Sequence, residues 1–188
     1  MYEVIWHGRG GQGVVLAAQI LAESAYLQGY QGVTSAPTFG PERRGAPLTA
    51  STRISDTPIR TFSQIEKADI AVVLDPSLLR VVPILDSLKP RGWLIVNTTR
   101  RPEELEIRDD INVATVDAAA IALKFRLLKE GAPIVNTPML GVFSKASKLV
   151  DIAHMEMGLQ WKLSGTAAAT NIAALRAAYE EARIKNGE

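Results

Sequence analysis

At 188 residues, 47% of them hydrophobic, the chain is long enough to bury a sizeable core without a disulfide or a metal. Its 21 Lys and Arg nearly cancel its 20 Asp and Glu, for a net charge of +1. That balance excludes a polybasic membrane anchor and an electrostatic nucleic-acid binder, whose counterion release needs a net basic surface. Cysteine is absent, which excludes a disulfide framework, a thiolate nucleophile, a thiolate zinc site and a Cys-ligated iron–sulfur cluster among these residues. Two histidines, His7 and His154, are too few for a multi-His metal site.

In chain order, Val4-Ile5-Trp6 reads as a buried first strand that stops at a glycine cluster. Its start, MYEVIWHGRGG, has no basic n-region and too short an apolar stretch for a signal peptide. No later window stays apolar for the ~20 residues of a membrane span. The expectation is a soluble, cytoplasmic protein. Residues 14–28 carry apolar positions at helical spacing and end at Gly29, a natural stop. Residues 32–36 read as a weaker strand, 37–47 as a Pro- and Gly-rich charged loop, and 48–54 as a strand with one wet face. The continuous apolar run 70–74, capped by Asp75-Pro76, has the pattern of a parallel strand covered on both sides.

Residues 77–88 then read as helix, 93–96 and 111–116 as strands, and the segment AAAIALKFRLLKEG as a further helix. This alternation predicts an α/β doubly wound, mostly parallel sheet with helices on both faces. From about residue 136 strand signals stop, and 139–150, 153–163 and 167–185 read as helices. The expectation is one domain over 1–188 with a helical C-terminal tail from about 139.

The strongest motif is Gly8-Arg9-Gly10-Gly11-Gln12-Gly13, a G-x-G-x-x-G between a strand and a helix. Glycines permit a tight turn and close backbone approach, and the helix N-terminus offers free N–H groups to an anion. A dinucleotide site also needs an acidic residue at the end of the second strand, where this chain has Thr34-Ser35-Ala36. No Walker Lys-Ser/Thr follows either. The loop is therefore either a nicotinamide or flavin site, or a glycine turn that packs helix on sheet or meets a partner chain. A second motif, Phe39-Gly40-Pro41-Glu42-Arg43-Arg44-Gly45-Ala46, sets two guanidinium groups between glycines. This suits contact with a carboxylate or phosphate, or an exposed loop stiffened by Glu42 pairing with an arginine. Asn136-Thr137-Pro138 reads as a helix start with Asn or Thr as N-cap. His7 is either a proton-transfer group or a hydrogen-bonded structural residue. His154 reads as a packing or surface residue. No Ser-His-Asp set, spaced carboxylate pair or metal constellation stands out, so no catalytic or metal residue is assigned.

HGRGGQGVVLAAQILAESA, FGPERRGAPLTASTRISDTPI, ADIAVVLD and NTPMLGVFSKAS together resemble the γ subunit of 2-oxoacid:ferredoxin oxidoreductases, over residues 3 to about 185. The pairing of G-R-G-G-Q-G with G-P-E-x-R-G about 30 residues later is far more specific than G-x-G-x-x-G alone. The resemblance implies a γ subunit, inactive alone, within an oxygen-sensitive cytoplasmic complex of anaerobic metabolism. That complex oxidatively decarboxylates a 2-oxoacid with coenzyme A to an acyl-CoA. Its implied partners are α, β and ferredoxin-like δ subunits, with ferredoxin or an NAD-linked flavin subunit taking the electrons. Thiamine diphosphate, magnesium and iron–sulfur clusters are implied in those other subunits, and no cofactor in this chain. Gly8, Gly10, Gly11, Gln12 and Gly13 match the family's first loop and are the candidate cofactor-binding residues. Gly40, Glu42, Arg44 and Gly45 match its second; with Arg43 they form a candidate partner- or CoA-facing loop. Phe39 stands where the family commonly has Tyr, and Ala46 where it often has Gly. The alternative function is a stand-alone dinucleotide-binding oxidoreductase using NAD or flavin.

Overall fold

Continuous apolar runs such as residues 70–74 give the central strands two buried faces, and the computed structural model pairs the strands into a mixed sheet. It describes residues 1–37, 44–61 and 63–187. The strands are β1 (Tyr2–Arg9), β2 (Gly32–Pro37), β3 (Pro47–Ser55), β4 (Ala68–Val73), β5 (Leu88–Asn97), β6 (Asn112–Val116) and, in the last residues, β9 (Arg183–Lys185). Their order in the sheet is β2-β3-β1-β4-β5-β6-β9. The ladders β1–β4, β4–β5 and β5–β6 are parallel, whereas β3 runs antiparallel to β1 and β2, and β9 antiparallel to β6. Five of these seven strands therefore point the same way, as the α/β pattern predicts.

On one face, Val4 and Trp6 of β1, Ile70 and Val72 of β4, and Ile95 of β5 pack against the α-helices. These are α1 (Val14–Leu27), α2 (Ala118–Lys124), α3 (Asn136–Ser147), α4 (Ile152–Lys162) and α5 (Gly165–Glu181). Trp6 lies on Phe143 of α3, with ring centroids 6.0 Å apart and planes 25° apart. Residues of the opposite parity, Ala71, Val73, Leu94, Val96 and Val113, meet Leu78 and Ile84 from short 3-10 helices on the other face. Ten of the twelve residues of α3 are buried, which places this helix in the middle of the core. Among the described residues no helix is long and apolar enough to cross a membrane.

Three local readings need correction. Residues 77–88 do not form one helix: Pro76–Arg80 and Leu85–Ser87 are separate 3-10 helices, and Leu88 already belongs to β5. Two β-branched residues, Val81 and Val82, followed by Pro83 interrupt a helix there. The segment after residue 118 is helical only to Lys124. It then turns into a hairpin of β7 (Leu128–Lys129) and β8 (Ala132–Pro133). Glu130 and Gly131 at its tip both have positive φ, as a two-residue primed turn requires. Finally, α5 stops at Glu181, and Arg183–Lys185 adds the edge strand β9. Three residues are too few to carry a strand signal.

Candidate functional site

The carboxyl ends of β1 and β4 meet at the point where chain connectivity reverses, since β1 leads through α1 towards β2 on one side while β4 lies on the other. In open α/β sheets this crevice is where sites form. Gly8 to Gly13 fill it from the β1 side. Gln12 closes the turn, its side-chain carbonyl accepting from the Arg9 amide at 2.7 Å while its own N–H donates to the Arg9 carbonyl at 3.0 Å. Gly13 then caps α1 at φ 76°, with no side-chain capping bond. A Cβ there would stand 2.4 Å from the Asn136 side-chain nitrogen, which donates to the Gly13 carbonyl at 3.2 Å. Only glycine fits both the left-handed backbone and this contact. Asn136 is therefore the first residue of α3 and a clamp on the glycine loop, with Val135 at the N-cap position assigned from sequence to Asn or Thr.

The second motif comes to the same place. Gly10 forms a parallel bridge with Arg44. The Gly10 amide donates to the Ala46 carbonyl at 2.9 Å, and the Gly45 amide to the Gly10 carbonyl at 3.1 Å. The two glycine motifs, separated in sequence, thus interlock backbone to backbone. Arg44 itself points outward and pairs with Glu130 at 2.6 Å, a largely exposed contact that ties the motif to the β7–β8 hairpin and contributes about 1 kcal/mol or less. Phe39, Gly40, Glu42 and Arg43 lie outside the described residues.

Arg9, an x of the generic G-x-G-x-x-G, organises the site. Its guanidinium donates to the Asp75 carboxylate at 2.6 Å, to the Gly45 carbonyl at 3.0 Å and to the Ser77 hydroxyl at 2.9 Å. Asp75 follows β4 as the N-cap of the 3-10 helix Pro76–Arg80 and also accepts from the Ser77 amide and hydroxyl. Burial pushes the Asp75 carboxyl upward, but the Ser77 bonds and Arg9 outweigh it and hold the group below its ordinary value. Sequence reasoning saw Asp75 only as the cap of an apolar run; an Arg at the end of one strand and an Asp just past the neighbouring parallel strand were the available signal. Arg9→Ala is expected to cost about 1–2 kcal/mol, since it removes one partly buried ion pair and two hydrogen bonds. It should also speed amide exchange at Gly10 and Gly45, whose N–H groups make the interlock. Unchanged exchange there would show that the backbone bridge stands without Arg9.

His7 immediately precedes the loop and is not the hydrogen-bonded structural residue that the sequence allowed as one reading. Its ring is buried, neither nitrogen has a hydrogen-bond partner among the described residues, and burial lowers its pKa to about 4. Burial keeps it neutral at physiological pH. His154 sits at the start of α4 with its ring on the Asp151 carboxylate, which caps the helix. No group of three or more His, Cys, Asp or Glu among the described residues is arranged to hold a metal ion.

The geometry also bears on dinucleotide binding. In the classic arrangement the second strand lies beside the first and brings an acidic residue to the ribose. Here β3 is inserted between them, which moves the tip of β2 one further strand spacing, about 4.8 Å, from β1. That tip ends in Ala36-Pro37, and the crevice itself is spanned by the Arg9–Asp75 pair.

Residues 3–181 match the model of the pyruvate ferredoxin/flavodoxin oxidoreductase family. The chain belongs to that family. It is 46% identical over 187 residues to the common subunit gamma of the pyruvate/ketoisovalerate oxidoreductases of Pyrococcus furiosus, covering 98% of both chains. The crystal structure of pyruvate oxidoreductase subunit PORC from Thermotoga maritima superposes with a TM-score of 0.83 at 33% identity, again covering 98% of each. The fold alone is shared with 2-oxoglutarate:ferredoxin oxidoreductase from Magnetococcus marinus, at 17% identity and a TM-score of 0.73. There the whole chain matches 33% of a longer one, in a structure with 2-oxoglutarate, coenzyme A and succinyl-CoA bound.

Proposed function

We propose that this chain is the γ component of a thiamine-diphosphate-dependent 2-oxoacid oxidoreductase that converts a 2-oxoacid and coenzyme A to an acyl-CoA. Its role is to present the interlocked loops 8–13 and 44–46 at the carboxyl edge of the sheet to partner subunits or to the coenzyme A path. The observation that carries this reading is the interlock itself: the glycine loop and residues 44–46 of the second motif are bonded backbone to backbone. A unit whose polar groups are largely engaged with one another is suited to offering a fixed surface.

The catalytic work belongs to other subunits. The chain has no cysteine, so thiolate ligation of iron–sulfur clusters falls to a ferredoxin-like δ subunit. Thiamine diphosphate and magnesium would sit with the α and β subunits and supply the decarboxylation chemistry there. The residues of the glycine loop position and face, and no catalytic acid or base is assigned among them. Gly8 to Gly13 and Gly45 shape this face, and Arg44 is its outward cation, available to a partner carboxylate or a phosphate on giving up Glu130.

Expression with and without the partner subunits tests the reading. The purified chain should show no 2-oxoacid oxidation, and co-expression with the α, β and δ subunits should give a stable complex with coenzyme A-dependent activity. Activity of the chain alone, or failure to assemble with those subunits, would overturn it.

A further inference from the structure

At the opposite end of the sheet, the amino ends of β4 and β5 and the last turn of α3 line an open cavity of about 350 Å3, within the range of small-molecule sites. Three features of this cavity are independent of the glycine loops.

The first is in the ladder. Ala68 of β4 pairs with Leu88 of β5, and Ile70 with Trp93, so four residues, Lys89 to Gly92, stand opposite the single Asp69. Such an irregularity in a central parallel pair re-aims side chains, and here it aims them at the cavity wall.

The second is backbone strain. Four described non-glycine residues have positive φ, and two of them, Arg91 at 60° and Lys148 at 55°, line this one cavity. Lys148 takes this conformation as the left-handed C-cap of α3, an ordinary helix stop, so the strain that points to a site is that of Arg91 within the inserted residues.

The third is charge and shape. Lys89 and Asp69 neutralise one another at 2.9 Å, with Glu3 and Arg53 completing the network. Arg91 and Lys148 engage only through their backbones, which leaves both cationic heads without a partner among the described residues. The partial negative charge at the α3 C-terminus is about half an elementary charge, less than either free cation, so the cavity rim stays positive. Tyr2, Tyr30 and Trp93 supply aromatic wall, and the Tyr30 hydroxyl is tied to the Leu149 carbonyl at 3.1 Å.

We propose that this cavity binds a phosphorylated ligand bearing a planar ring, of the nucleoside diphosphate class. Arg91 and Lys148 would hold the phosphates, and the aromatic wall the ring. The proposal is independent of the γ-subunit reading, because it concerns the chain by itself.

The test is calorimetric titration of the purified full chain with ADP and, separately, with inorganic pyrophosphate. ADP is expected to bind saturably, more weakly as salt is raised, and more tightly than pyrophosphate. The Arg91→Gly, Lys148→Gly double variant should bind ADP at least tenfold more weakly. Because glycine suits both backbones, its Tm should be unchanged or higher by a few degrees. No saturable ADP binding by the wild type at millimolar concentration would overturn the proposal, as would equal affinity of the double variant. Pyrophosphate binding as tight as that of ADP would remove the aromatic wall from it.

Discussion

Gly141→Ala is expected to lower stability by about 3 kcal/mol, the upper part of the range for overpacked cores. This glycine is where α3 crosses α5. A Cβ placed on it would stand 2.1 Å from the Leu175 carbonyl oxygen and 3.1 Å from the Tyr179 amide nitrogen. Both obstacles are backbone, so no rotamer change relieves the contact and the two helices must part. Parting is costly because α3 is buried along most of its length and Phe143, two residues on, stacks against Trp6 of β1. For a chain of this size the loss corresponds to a fall in Tm of about 6–12 °C. Thermal or urea unfolding measures it directly. The consequence extends beyond stability, because α3 starts at Asn136, the clamp on the Gly13 carbonyl. A displaced α3 should therefore also raise amide exchange in the glycine loop. A loss below 1 kcal/mol would show that α3 and α5 are free to separate.

Acidification is expected to remove about 3 kcal/mol through His7 alone. In the folded chain burial holds the ring near pKa 4, whereas in the unfolded chain it returns to the ordinary 6.5. Between those values the unfolded state binds a proton that the folded state does not, so stability rises with pH across the window and is lost as pH falls from about 6.5 to 4. At about 1.4 kcal/mol per pH unit, the full window sets that figure. Below pH 4 both states are protonated and His7 contributes no further loss. The carboxylates act lower: Asp75 and Asp151 are held below 3.8, Asp151 chiefly by the His154 amide, so their contributions disappear only as pH falls below that value. Urea unfolding of the wild type and of His7→Gln at pH 7 and pH 4.5 separates the effects. The variant should lose about 2 kcal/mol less than the wild type over that interval. Equal losses would show that the ring is protonated in the folded state.

The strand framework was legible in the sequence because apolar runs bounded by glycine, proline and Asp75 mark buried parallel strands without ambiguity. What the runs did not carry was direction. Residues 48–54 read correctly as a strand, yet nothing local says that they insert antiparallel between β1 and β2, a placement decided by tertiary pairing. The 3-10 helices at Pro76–Arg80 and Leu85–Ser87 were hidden behind helical spacing, although Pro83 signalled the break. At the site, both glycine motifs were visible as separate patterns. Their interlock was not, because it is made by main-chain groups of Gly10, Gly45 and Ala46, which have no residue signature. Arg9 was overlooked for the opposite reason: its role depends on Asp75 and Ser77, about 66 residues away in sequence. The β5 irregularity at Lys89–Gly92 had no reading in the sequence, since register lies outside a single segment.

The proposed role rests on which surface meets the partner subunits, and hydrogen–deuterium exchange of this chain, free and assembled with α, β and δ subunits, measures that surface. Protection on assembly is expected at residues 8–13 and 44–46, with the β7–β8 hairpin following as Arg44 exchanges Glu130 for a partner. Unchanged exchange in both loops, with protection confined to the amino ends of the strands or the outer face of α4, would contradict it.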